Sequence, residues 1–306
     1  MPRRFLRVRR VQIGVGILAV FVLVAVFGPL FTSEVLRIEP LDIDPQALGM
    51  PPSPAHLLGT TSSGQDALVW MIHGTRSSIF VGAVSALVGT AIALVTGLLA
   101  GYCGGWVDRA INAFILVFNT TPTFAILFMV AAIFPSANLL TVAIIIGLLE
   151  WSGGARAIRA QALSLRSRQF TTALTTAGES GWRIIFSELV PHLFGVISPM
   201  VLRLVSAGIT FQAAIAFLGI GDAAEPSWGL MIQYAMSQNA LYTGLWWWFL
   251  PPGLAIAMIG FATTLINFGL DEVTNPTLSS KRRALTRRYR EQVRLNPRRP
   301  VPEPSR

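Results

Sequence analysis

The sequence predicts an all-α integral membrane protein with six transmembrane helices. Hydrophobic residues make up 53% of the 306-residue chain and charged ones 13%, with a mean hydropathy of +0.58, where a soluble domain carries about a quarter charged residues. The apolar residues are gathered in long, nearly uncharged runs of membrane-spanning length. The basic residues supply the third observation. Of the 24 Lys and Arg, all but Arg37, Arg76 and Arg203 fall in the N-terminal cluster, at Arg109, in the stretch 153–192 or in the tail from Lys281 onward. That asymmetry is the one expected of a chain whose two termini are both cytoplasmic.

The first run, 11–31, follows Arg3, Arg4, Arg7, Arg9 and Arg10. At 1.5 Å per residue it is long enough to cross a bilayer. It is also too long for a signal peptide and lacks a small-residue cleavage site, so it reads as a retained first helix. Residues 32–75 form an extracytoplasmic segment, acidic and turn-rich, that ends in a short amphipathic helix near 63–74. The core, 76–270, holds apolar runs at 78–100, 110–134, 137–151, 193–220 and 246–270. Between the last three of these lie a polar loop, 153–192, and an outer loop, 221–245. The tail 271–306 is basic and proline-rich and has no apolar period. It reads as disordered, lying on the anionic inner leaflet or simply solvated.

Several functions are excluded early. The basic residues sit in the tails and one loop, which is the wrong placement for nucleic-acid binding despite a net charge of +9. The single cysteine, Cys103, allows no internal disulfide, and His56, His73 and His192 are too far apart for a local metal motif. No metal and no cofactor is expected. There is no glycine-rich phosphate-binding loop, and the lone lysine, Lys281, lies in the tail. No nucleophile–base or paired-carboxylate constellation occurs either, so the chain reads as a non-catalytic subunit.

The 153–192 loop carries the mechanism. Residues 155–168 have helical spacing with arginines on one face. Phe170 to Thr176 continue as a short helix, Gly178 permits a sharp change of direction, and a helix resumes from Trp182 to Val190. A glycine-hinged pair of short helices beside a membrane suits docking to a cytoplasmic partner. A basic loop that hugs the membrane is the plainer alternative.

Phe170, Ala173, Gly178, Arg183-Ile184-Ile185-Phe186 and Pro191 keep the order and spacing of a known loop. In these residues the chain resembles binding-protein-dependent (type I) ABC importer permeases. HLLGTTSSGQDAL at 56–68, GLLAGYCGGWVD at 97–108, AFLGIGDAAEPSWGLMI at 216–232 and LPPGLAIAM at 250–258 extend the resemblance over most of 56–276. They are similar to the dipeptide, oligopeptide and nickel branch, and within it to the C-type subunit. Its proline-serine-tryptophan-glycine sequence stands here at Pro226-Ser227-Trp228-Gly229. Two departures stand out: Thr172 replaces the acidic residue that opens the loop motif, and Leu174 replaces its second alanine. Thr172 is expected to cap a helix through its hydroxyl.

The resemblance implies the type I importer permease fold and a set of partners. These are a second homologous permease subunit, two ABC ATPase subunits, an extracytoplasmic solute-binding protein and the lipid bilayer, with no nucleic acid. It implies a bacterial or archaeal cytoplasmic (inner) membrane and a cargo of dipeptides or oligopeptides. On this reading Phe170, Thr172, Ala173, Gly178, Trp182 and Arg183 form the ATPase-coupling loop. Asp222, Glu225 and Trp228 are candidates for contact with the binding protein, with lid or packing roles equally open. Arg203 faces either the pathway or a helix partner such as Glu150. Trp246-Trp247-Trp248 marks an interface belt, Pro251-Pro252 a break or kink, and the glycines 97, 101 and 105 close helix packing. The competing reading is a stand-alone ion-coupled membrane carrier, which needs more intramembrane acids than this chain has.

Overall fold

The computed structural model describes residues 8–134, 137–222 and 224–274. Arg3, Arg4, Arg7 and the tail from 275 on therefore lie outside the described residues. The described chain is helical apart from its connecting segments, with α1 (Arg9–Phe31), α2 (Ala67–Cys103), α3 (Gly105–Thr120), α4 (Thr123–Ile133), α5 (Leu139–Arg166) and α6 (Gln169–Thr176). Then come the helical stretch 181–192, here α7, and α8 (Phe194–Phe217), α9 (Trp228–Ser237), α10 (Ala240–Thr243) and α11 (Trp246–Thr274). Five of these are long and apolar enough to cross a membrane, and a sixth crossing is available if α3 and α4 count as one broken span.

That broken span corrects the uninterrupted run expected at 110–134. α3 and α4 meet at 81°. The cause is Pro122, which disfavours helical geometry in the residue before it. Thr121 is extended, at φ −83° and ψ 131°, and the chain restarts at Thr123 in a new direction.

Two further boundaries differ from the sequence expectation. The short amphipathic helix placed near 63–74 is not a separate element: α2 begins at Ala67 and runs 37 residues without interruption, about 55 Å. Asp66 fixes its start by accepting from the amides of Leu68 (2.8 Å) and Val69 (3.0 Å). His56 Nδ1 lies 2.8 Å from the other Asp66 carboxylate oxygen and so ties the outer segment to this cap. Likewise the span at 137–151 and the helical run at 155–168 are one helix, α5, because the glycines between them pack rather than bend. A Cβ on Gly154 would sit 2.2 Å from Met200 Sδ.

The centre of the fold is the contact between α2 and α5, the most extensive helix pair among the described residues. Small residues let the backbones approach. A Cβ on Gly97 would lie 2.7 Å from the Ala155 carbonyl oxygen, and one on Gly101 2.5 Å from Ala162 Cβ. Gly105 has no such neighbour; it opens α3 at φ +60°. α8 packs against α2, and α1 against α2 and α11. A buried cluster of Ala155, Ile158, Ala162, Leu165, Ile184, Ile185, Leu189 and Leu193 continues this core into the 167–193 loop.

At the opposite end the outer segment is fastened to α11. Thr60 is fully buried, and its carbonyl accepts from Trp247 Nε1 at 3.0 Å. Trp247 and Trp248 are therefore core residues, which corrects the interface belt expected of all three tryptophans. Trp246, half exposed, is the one positioned for that role. α11 runs continuously through Pro251 and Pro252.

Candidate functional site

The 167–193 loop presents a formed surface on a rigid footing. Thr171 is buried and its hydroxyl donates to the Leu165 carbonyl at 2.8 Å, locking α6 to the end of α5. Phe170 and Leu174 pack on the core cluster, which leaves Thr172, Ala173 and Thr176 exposed. α6 closes with a Schellman arrangement. Glu179 N donates to Leu174 O and Gly178 N to Thr175 O, both at 3.1 Å. This geometry needs a left-handed residue, and Gly178 supplies it at φ +82°.

Thr172 does not cap a helix. It is the fourth residue of α6, and its hydroxyl reaches back to the Arg168 carbonyl at 3.4 Å. A hydroxyl bonded within its own helix adds nothing at the helix start, so α6 begins without a side-chain cap.

α7 is held from below by Ile184, Ile185 and Leu189, all buried. Its upper face carries Trp182 and Phe186, 64% and 63% exposed, stacked at 5.9 Å with rings 16° from parallel. Arg183 is also exposed and makes a 3.3 Å pair with Glu179, the kind of surface contact worth little by itself. Residues 184–189 adopt π-helical register, with Val190 N donating to Ile185 O. The widening falls just ahead of Pro191, whose ring would crowd the carbonyl four residues back in an α-helix. The structure thus brings Phe170, Thr172, Ala173, Gly178, Trp182 and Arg183 into one loop.

Two features of this end are not singled out by the sequence reading. Asp108 and Arg159 form a two-point ion pair, Nε–Oδ1 2.5 Å and Nη2–Oδ2 2.8 Å, joining α3 to α5. Asp108 sits in the quoted GGWVD stretch, and Arg159 enters the sequence reading only as one basic residue of many. The second feature is the aromatic pair Trp182–Phe186. Its i, i+4 spacing was the available signal.

At the far end Asp222 and Glu225 are exposed. Trp228 is not: it is fully buried, edge-on to Phe21 at 5.5 Å. This corrects its placement as a docking residue. Ser227 Oγ accepts from Leu230 N at 3.2 Å and starts α9, so the Pro226–Gly229 sequence is a helix start with a buried anchor. Within the membrane-length helices Arg203 pairs with Glu150 at 3.1 Å.

The chain is also similar along its length to known proteins. Residues 93–277 match the family model for the binding-protein-dependent transport system inner membrane component. The oligopeptide transport system permease protein OppC of Mycobacterium tuberculosis is 30% identical over 289 residues, covering 92% of this chain and 96% of that protein. The dipeptide transport system permease protein DppC of Bacillus subtilis is 29% identical over 280 residues, 90% of this chain and 84% of that one. A putative peptide permease protein of Brucella suis is 30% identical over 274 residues, 89% of each chain.

Proposed function

This chain belongs to the binding-protein-dependent transport system inner membrane component family, and we propose that it is the C-type permease subunit of an ATP-driven peptide importer. Its relatives are oligopeptide and dipeptide permeases along nearly their whole length. The chain is a multi-pass integral membrane protein, with five helices of spanning length and one broken pair among the described residues. It forms half of a pathway with a second permease subunit in a bacterial or archaeal cytoplasmic membrane, both termini inside. Two ABC ATPase subunits bind below it and a solute-binding protein delivers cargo above. Hydrolysis takes place in the ATPases.

The single observation that carries the coupling role is the exposed ridge of α6 and α7 resting on a buried apolar foot. α6 meets the ATPase through Thr172, Ala173 and the turn at Gly178, while Trp182 and Phe186 offer an apolar contact beside it. Ile184, Ile185 and Leu189 continue into the α2–α5 core, so a displacement of the ridge is passed to the helices that line the path. Closure of the ATPases on ATP moves the ridge and opens the cavity outward; hydrolysis reverses it. Asp222 and Glu225 are the binding-protein contacts on this reading.

A photo-crosslinking side chain in place of Trp182 tests the docking surface. In native membranes it is expected to capture the ATPase in high yield, and the same group at exposed Tyr242, at the other end, none of it. Crosslinks from position 182 to lipid alone would assign the ridge to the membrane surface instead.

A further inference from the structure

Glu150 and Arg203 lie deep in their helices. Arg203 is about 14 Å along α8 from Phe194, and Glu150 about 16 Å along α5 from Leu139, so the pair lies well inside two helices of membrane-spanning length. It is closed but not enclosed. Arg203 donates through Nη1 to Glu150 Oε2 at 3.1 Å and through Nη2 to the Glu150 carbonyl at 3.2 Å. Yet 48% of the Arg203 side chain is open, against 15% for Glu150. An arginine facing lipid at this depth is costly and rare. The open side of the guanidinium therefore faces water or protein in the working assembly.

Its neighbours leave room for water. The same face of α8 carries Ser206, Ala207 and Thr210 at one and two turns from Arg203, and Thr210 is exposed. Ser206 faces Gly260 of α11, and Gly153 of α5 borders the guanidinium. This is a lane of small and hydroxyl-bearing residues with one cation in it. A guanidinium has five N–H donors, more than Glu150 engages, and their fork matches a second carboxylate.

We propose that Arg203, held in place by Glu150, is an anion-binding residue of the translocation pathway and takes the terminal carboxylate of the passing peptide. Every linear peptide with a free C-terminus carries that group whatever its side chains, so a subunit serving varied peptides has one constant feature to hold. Glu150 offsets much of the charge and keeps the hold weak enough for release, as passage requires. This inference rests on the importer reading.

The test uses the assembled transporter in membranes, with Cys103→Ser removing the native thiol and Ser206→Cys placing one beside Arg203. Anionic sulfonatoethyl and cationic trimethylammonium-ethyl methanethiosulfonates are compared. Both are expected to react, and the anionic-to-cationic rate ratio is expected to fall about tenfold on adding Arg203→Gln and to hold on adding Arg203→Lys. If Arg203→Gln alone misfolds, the Arg203→Gln/Glu150→Gln pair, which leaves no unpaired charge, serves as the comparison. Its ratio is also expected to fall, because the guanidinium is lost.

Absence of reaction in the complex, or reaction only in the isolated chain, would overturn the proposal by assigning the face to lipid or to the second permease. A ratio unmoved by loss of Arg203 would overturn it too. Recovery of an ATPase with each variant keeps these failures distinct from failure of the importer reading.

Discussion

Gly229→Ala is expected to cost this protein most of its folded population in detergent. A methyl group there would lie 2.3 Å from the Ala213 carbonyl oxygen and 2.6 Å from the Ala213 Cα. Both are backbone atoms of α8, so no side chain can move aside. Adjacent Trp228 is fully buried and pinned against Phe21 and α2, so α9 cannot lift away without uncovering an indole. Overpacking typically costs about 1–3 kcal/mol, and a clash with fixed backbone belongs at or above the top of that range. The check is the melting temperature of the purified chain beside Gly16→Ala. A Cβ on helical Gly16 would meet nothing within 4 Å outside its own helix turn, so its substitution is not expected to lower the melting temperature. Equal behaviour of the two variants would mean that the α8–α9 contact is looser than described.

Gly178→Pro is expected to abolish coupling while leaving the chain folded. The position requires φ +82° and an amide that donates to Thr175. Proline holds φ near −65° and has no amide to give, so the turn between α6 and α7 must be rebuilt. A Cβ at Gly178 would meet nothing within 4 Å beyond its chain neighbours, and the buried foot of Ile184, Ile185 and Leu189 is untouched. ATP-dependent uptake is expected to fall more than tenfold, with a shift of only a few degrees in melting temperature. Gly178→Asn should retain most of the activity, since asparagine tolerates the left-handed region. If Gly178→Pro transports normally, the α6–α7 turn has no part in coupling.

Much of this architecture is legible in the sequence because lipid imposes a simple demand: every backbone polar group must be bonded within a helix, and the apolar runs announce where. The hinge at Gly178 is legible for a similar reason, since few residues other than glycine adopt that backbone. Boundaries are harder. Polar residues at 63–77 and glycines at 153–154 look like breaks, yet Asp66 caps a helix that runs on into the span, and Gly154 is there to admit Met200. The break that does occur, at Thr121–Pro122, lies in an otherwise apolar run where hydropathy sees only continuity.

Side-chain burial is the least legible. Trp228 and Trp247 look like surface aromatics by composition. They are buried because the outer segment folds down through Thr60 and α9 packs on α8 and α11, with Phe21 of α1 closing over the Trp228 ring, contacts made by residues distant in sequence. Asp108 and Arg159, 51 positions apart, pair for the same kind of reason. The loop proposed to couple is visible as a pattern, but its division into a buried foot and an exposed ridge depends on packing that the pattern does not carry.

The central claim is that this chain works as one permease subunit docked to ATPases through the 167–193 loop. The measurement that tests it most directly is purification of the tagged chain from native membranes in mild detergent, with Gly178→Pro run in parallel. The account predicts stoichiometric recovery of an ATPase and a second permease with the wild-type chain, and loss of the ATPase alone with the variant. A wild-type chain that emerges well folded and unaccompanied would contradict it and return the stand-alone carrier to consideration.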